Sequence, residues 1–118
     1  MIFIVDRSEQ ALPRLQLRDV DVALIDGRHG FPAPFIDWYY LAEALKVGGL
    51  LIVDDVHIWT GDVLAQFLSV EKDWKLVADL PRAVAFAKRG DSAQHKEWTE
   101  QPFVFGRSKG ANHYSAGF

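Results

Sequence analysis

The sequence contains no cysteine, which excludes disulfide bonds, thiolate metal sites and a cysteine nucleophile. No apolar run is long enough to cross a bilayer, and no stretch resembles a signal peptide. The formal net charge is only -3 over 118 residues, so the basic face that nucleic-acid binding usually requires is not indicated. We therefore expect a cytoplasmic protein that binds neither a membrane nor nucleic acid.

The composition is that of an ordinary globular domain, with 49% hydrophobic and 25% charged residues. A chain of 118 residues is long enough to bury one hydrophobic core. From Gly90 onward the sequence becomes polar, and only Pro102 to Phe105 offer apolar anchors there. We expect a single domain over residues 1–89 and a partly disordered surface tail over residues 90–118.

Two short apolar runs that end in aspartate organise the chain. Val22 to Ile25 is followed by Asp26, and Leu50 to Val53 is followed by Asp54 and Asp55. Unbroken apolar runs of this length are typical of parallel strands that are covered on both faces. Because the carboxyl ends of parallel strands share the edge where α/β proteins bind ligands, we expect the three carboxylates to gather there.

Helices are predicted between these strands. Ser8 is a suitable cap for a short or kinked helix, and a second helix is predicted from Pro34 to about Lys46, stopped by Gly48 or Gly49. The expected buried residues of the second helix are Ile36, Tyr40, Leu41, Ala44 and Leu45. A third helix, capped by Thr60, should face the sheet with Val63, Leu64, Phe67 and Leu68.

Three further strands complete the pattern. Ile2 to Val5 is strand-like, and Trp74 to Leu80 and Arg82 to Lys88 predict an antiparallel pair around Pro81. The element order β-α-β-α-β-α-β-β indicates an α/β fold, with parallel strands followed by an antiparallel pair.

This order, with the motifs DVALIDGRH and LKVGGLLIVDD, resembles the C-terminal portion of a class I S-adenosylmethionine-dependent methyltransferase. The resemblance covers roughly Ile2 to Lys88 and is closest to the metal-dependent O-methyltransferases that act on catechols and macrolide sugars. It implies strands 3 to 7 of a Rossmann-like methyltransferase sheet, in which strands 4-5-7-6 stay adjacent. The strand Ile2 to Val5 should then pair in parallel beside the Val22 strand, because successive strands usually lie adjacent.

The sequence departs from this family in one large respect. The glycine-rich loop and the acidic residue that hold the cofactor's methionine and ribose have no counterpart here. The resemblance therefore implies a truncated methyltransferase, inactive alone, whose partner is a missing N-terminal half or a second copy of the chain. A non-catalytic remnant that serves as a binding or assembly module is the alternative.

The resemblance assigns roles to five residues. Asp26, Asp54 and Asp55 match the Mg²⁺ ligands, and the hard carboxylate oxygens that Mg²⁺ prefers agree with this role. Ser8 and Asp26 match positions that contact S-adenosylmethionine. His29 stands where those enzymes have a lysine as general base, and a histidine is able to accept a proton from a small-molecule hydroxyl.

Each of these residues also has a structural interpretation. Strand-end aspartates cap the loops that follow them, Ser8 caps a helix, and His29 is equally expected as a loop histidine bonded to the backbone. His57 is a weaker candidate for the same edge, and Trp59 is a candidate wall of a substrate pocket. The run LLIVDDV also resembles the first strand of a response-regulator receiver, but no later aspartate ends a parallel strand, so we reject that interpretation.

Overall fold

The computed structural model of the chain describes residues 2–5, 19–26, 30–91 and 95–108. The helix predicted from Ser8 lies outside these residues. Among the helices that are described, none is both long enough and apolar enough to cross a membrane.

Five strands form one mixed sheet in the order β1-β2-β3-β5-β4. The strands β1, β2 and β3 are parallel, and β5 lies antiparallel between β3 and β4. Their bounds are β1 Ile2–Val5, β2 Val20–Ile25, β3 Leu45–Asp54, β4 Trp74–Asp79 and β5 Ala83–Lys88.

This topology confirms the predicted strand order. The strand β1 pairs in parallel with β2, with Ile2 opposite Val22, and the last two strands form the expected antiparallel pair. The sheet is therefore not the purely parallel sheet of a Rossmann domain, and it fits the mixed α/β arrangement that the sequence indicates.

Two helices pack on one face of the sheet. Helix α1, Ala33–Ala44, connects β2 to β3, and helix α2, Trp59–Val70, follows β3. Trp38 of α1 contacts Phe67 of α2 edge to face, with ring centroids 5.2 Å apart. Since both helices share one buried cluster with the inward side chains of β2, β3 and β5, this face holds the core.

Part of the polar tail also packs on α2. A 3-10 turn, Trp98–Glu100, precedes a short helix α3, Pro102–Arg107. The ring of Phe103 lies 6.1 Å from that of Phe67, and Lys96 donates to the buried carboxylate of Glu71 at 3.3 Å. The apolar residues from Pro102 onward thus anchor this segment to the domain.

Helix α1 does not bury the stripe that its sequence predicts. Leu41, Ala44 and Leu45 are buried as expected, but Ile36 and Tyr40 are only half-buried. Trp38 is buried instead. The helix is apolar on nearly every side, so periodicity alone does not identify the face that meets the sheet.

The glycine pair after α1 does not end the helix, contrary to the prediction. The helix ends at Ala44, and Leu45 already pairs with Val20. The next pair joins Val22 to Leu50. The segment between these two pairs therefore contains more residues in β3 than in β2. Gly48, with φ +92°, allows the chain to turn within this segment.

A salt bridge closes the same irregular segment. The Lys46 ammonium lies 2.5 Å from an Asp21 carboxylate oxygen. This hydrogen bond is the main reason why the pKa of Asp21 falls to about 2, and the lysine's charge adds to the effect. The bridge is exposed to solvent, so we assign it a positional role rather than a large share of the stability.

Helix α2 begins without the predicted Thr60 cap. The residue before the helix is Ile58, no side chain caps the helix, and Thr60 is buried in its first turn. The Ile58 N–H instead donates to the Asp55 carbonyl at 3.0 Å. The turn that follows the aspartates therefore sets the start of the helix.

Lys88, at the end of β5, is buried beneath the end of α1. Its ammonium donates to the carbonyls of Ala42 and Leu45, the latter at 2.6 Å, and forms an ion pair with Asp91 at 3.0 Å. The last carbonyls of a helix lack intrahelical partners, and a cation is favoured at that end. Lys88 thus connects the antiparallel hairpin to the helix that returns the chain from β2.

We predict that Lys88→Met lowers the free energy of unfolding by about 2–4 kcal/mol, because two buried carbonyls lose their donor. Urea denaturation followed by circular dichroism measures the change. The same substitution at the exposed Lys72 should change stability by less than about 0.5 kcal/mol. An unchanged unfolding midpoint in Lys88→Met would show that the buried ammonium does not stabilise the helix end.

Candidate functional site

The predicted convergence of the three aspartates is observed at the carboxyl edge of the sheet. Asp26, Asp54 and Asp55 each place a carboxylate oxygen so that the three atoms lie within 4.8 Å of one another. Asp26 is exposed, whereas Asp54 and Asp55 are half-buried. We call these three residues the aspartate cluster.

The register of two parallel strands produces this cluster. Ile25, the last residue of β2, lies opposite Val53 in β3. The next residues along the two strands are Asp26 and Asp54, so their carboxylates emerge at the same height of the sheet. The shared edge follows from the sequence pattern, and the register of the strands supplies the short distance between the carboxylates.

Asp55 joins the cluster through an unusual backbone conformation. Consecutive residues of a strand point to opposite faces, so Asp54 and Asp55 would normally diverge. Asp55 has φ +56°, in the left-handed region that aspartate tolerates better than most residues. Its N–H donates to the Asp54 carboxylate at 2.8 Å, which holds the Asp54 side chain against the backbone of Asp55.

Gly61 keeps the first turn of α2 close to this backbone. A Cβ atom at Gly61 would lie 2.9 Å from the carbonyl oxygen of Asp55, closer than real Cβ contacts allow. Because the obstructing atom belongs to the backbone, it is unable to move aside as a flexible side chain would. Glycine at this position therefore helps to fix the position of Asp55.

Two cationic or potentially cationic groups lie beside the cluster. Arg82 Nη2 and His57 Nδ1 each lie 4.0 Å from Asp55 Oδ1, and Arg82 Nη2 is 3.1 Å from His57 Nε2. The Val56 N–H donates to the Arg82 carbonyl at 3.1 Å, which ties the β4–β5 turn to the end of β3. No local sequence pattern marks Arg82, because only the antiparallel pairing of β3 with β5 brings it to this edge.

The other candidate residues are distributed as follows. Ser8 and His29 lie outside the described residues, so their cofactor and base roles stay predictions. Trp59 is 65% exposed at the start of α2, next to the cluster in sequence. Away from these candidates, Phe35, Ile36, Tyr39 and Tyr40 line an open cavity of about 440 Å³ on α1.

The donor atoms of the aspartate cluster suit a hard divalent cation. Carboxylate oxygens are the ligands that Mg²⁺ and Ca²⁺ prefer, and Mg²⁺ commonly retains water or substrate oxygens as well. Three carboxylates at this separation repel one another, so a cation placed among them would relieve the repulsion. The chemistry and spacing of the donors therefore fit a metal ion.

A protein-family model described as "Methyltransferase domain" matches residues 1–56 of the chain. The matched span includes β1, β2, α1, β3 and all three aspartates. No curated protein matches the sequence. The match covers slightly less than half of the chain, and the mixed α/β sheet is compatible with it.

We predict that Gly61→Ala lowers the free energy of unfolding by about 1–3 kcal/mol, because the new methyl group collides with the Asp55 carbonyl. Thermal unfolding measures this loss. Gly106→Ala is the matched control, since Gly106 also lies in a helix but has no atom within 4 Å of an added Cβ. The control should be neutral or slightly stabilising, as alanine favours helix. Equal effects at both positions would contradict the proposed contact.

Proposed function

We propose that this chain forms the acceptor side of an S-adenosylmethionine-dependent methyltransferase that methylates a hydroxyl group of a small molecule with the help of a divalent cation. The observation that carries the proposal is the aspartate cluster, whose three oxygens lie within 4.8 Å at the carboxyl edge of the sheet. That edge is where α/β proteins bind ligands. The match to a methyltransferase domain over residues 1–56 supports methyl transfer as the reaction class.

The three aspartates have defined tasks in this proposal. Asp26, Asp54 and Asp55 hold the cation, which supplies positive charge that orients the acceptor hydroxyl and favours its ionised form. The Asp54 carboxylate is oriented by the hydrogen bond that it accepts from the Asp55 N–H, so it needs little rearrangement to accept a ligand.

We assign cofactor binding and proton transfer to Asp26, Ser8 and His29. Asp26 is exposed, and it follows Ile25, which lies opposite Val5 at the end of β1. We assign Asp26, together with Ser8, to the binding of S-adenosylmethionine. The cofactor supplies the methyl group when bound. His29 accepts the hydroxyl proton, as a histidine near neutral pH is able to do.

We further propose that this chain is one portion of a larger methyltransferase domain. Helices α1 and α2 cover the face of the sheet that carries Ala23, Leu51 and Phe86. On the opposite face, Val22, Leu24, Leu50 and Ile52 are apolar but only half-buried. A parallel sheet is usually covered on both faces, so these side chains suit a further layer that would also carry the glycine-rich cofactor loop.

We predict that the chain binds Mg²⁺ or Mn²⁺ through the aspartate cluster. In a calorimetric titration, Asp54→Asn and Asp55→Asn should each weaken the binding by about tenfold or more, because an anionic ligand is lost. Glu43→Gln is the control, since it neutralises an exposed acid on α1 outside the cluster. A titration without binding, or with equal losses in all three variants, would exclude the cation site.

We predict that the 118-residue chain binds S-adenosylmethionine more weakly than micromolar, because it lacks the glycine-rich loop. A dissociation constant of about 1 μM or tighter in calorimetry, equivalent to about -8 kcal/mol, would contradict this expectation. It would also favour a complete cofactor site within the chain over a truncated one.

In an enzyme completed by the cofactor-binding half, activity on a catechol or vicinal diol should vanish with a chelator and with Asp54→Ala. His29→Ala should lower kcat by roughly 10²–10⁴, the usual range for loss of a general base. Transfer of labelled methyl groups measures both effects. Full turnover in chelator excludes the cation, unimpaired His29→Ala excludes the base, and no turnover at all favours the non-catalytic module.

A further inference from the structure

The turn between β4 and β5 lies at the same edge of the sheet as the aspartate cluster. Strand β5 is antiparallel to both β3 and β4, so β4 ends where β3 ends. Arg82 stands in this turn, and 69% of its side chain is exposed. We propose that Arg82, with His57 and Trp59, forms an oxyanion-binding subsite, so that the acceptor carries a carboxylate or phosphate group. This inference rests on the proposed function for the position of the reacting hydroxyl.

The guanidinium of Arg82 is held in place without being fully engaged. Its distance of 4.0 Å from Asp55 Oδ1 exceeds the length of a hydrogen bond, so the two groups form no bidentate pair. One N–H at Nη2 is directed to His57 Nε2 at 3.1 Å. A guanidinium has five N–H donors in a planar fork, and this contact uses one of them. The other N–H donors of this exposed guanidinium are suited to bind a planar oxyanion.

His57 orients this fork. Because a guanidinium only donates hydrogen bonds, His57 Nε2 is the acceptor of the contact, and the ring proton of the neutral imidazole then lies on Nδ1. Nδ1 is 4.0 Å from Asp55 Oδ1. The ring therefore lies beside both Asp55 and Arg82, and its contact with Nη2 makes His57 a positioning residue for the arginine.

Trp59 supplies an apolar surface at the same edge. Its indole is 65% exposed, although it is a large hydrophobic side chain at the first position of α2. Trp59 follows Asp55 by four residues, and an exposed aromatic ring there suits the apolar part of an acceptor. Three carboxylates alone would repel an anionic acceptor, and Arg82 supplies the nearby positive charge that offsets the repulsion.

The test is a binding measurement on the whole 118-residue chain in the presence of Mg²⁺. Trp98→Phe removes the other exposed tryptophan, so that changes in fluorescence report mainly on Trp59. Benzoate, phenyl phosphate and neutral benzyl alcohol are titrated in turn. We expect the anions to quench the fluorescence and the alcohol to have little effect. Tighter binding of benzoate assigns a carboxylate, and tighter binding of phenyl phosphate assigns a phosphate.

Substitutions at Arg82 then test its role. Arg82→Gln should weaken anion binding about tenfold, and Arg82→Lys by less, because lysine retains the charge but not the planar fork. Arg89→Gln, which removes an exposed arginine after the other end of β5, should leave the affinity unchanged. Circular dichroism checks that each variant is folded.

Equal binding of the neutral alcohol, or an unchanged affinity in Arg82→Gln, would overturn the subsite. Because binding is measured without methyl transfer, this failure is distinct from failure of the proposed function. A chain that binds anions through Arg82 while the completed enzyme shows no methyl transfer would refute the reaction and retain the subsite.

Discussion

The parallel pairing of β2 with β3 is the constraint on which the site depends. It places Ile25 level with Val53, so the residues that follow, Asp26 and Asp54, leave the sheet at the same height. A shift of one residue in this register would reverse the faces of an entire strand and separate the carboxylates. The core secures the register, because Ala23, Ile25, Leu51 and Val53 are all buried against α1 and α2.

Two local devices convert this register into a compact site. The left-handed conformation of Asp55 redirects its side chain toward that of Asp54, and Gly61 lets α2 begin against the same backbone. At the opposite edge of the sheet, Lys88 satisfies the last carbonyls of α1. The positions of α1 and α2 and the geometry of Asp54 and Asp55 therefore depend on one another through β3 and β5.

The carboxyl edge of the sheet carries an acidic group of residues and a basic group, and we infer a different function for each. The donor atoms of the aspartate cluster suit a cation, and in the function proposed above that cation lies beside the acceptor hydroxyl. Arg82 and His57 come from the turn and loop that flank the cluster, outside the matched span. We infer that the aspartate cluster defines the reaction centre, while Arg82 and His57 select the acceptor that binds there.

The sequence by itself determined the strands and the aspartates at their ends, because short apolar runs that end in acids are a local signal, and the order of the strands in the sheet followed from the family resemblance. It misplaced the inner face of α1, the role of the glycine pair and the start of α2. Those features depend on the tertiary contacts of each segment. Helix α1 is apolar on nearly every side, so its sequence does not identify the buried face. Gly48 lies where the register between β2 and β3 changes, which no local sequence pattern predicts. Only the tertiary structure brought Arg82 to Asp55, since antiparallel pairing joins residues far apart in the chain.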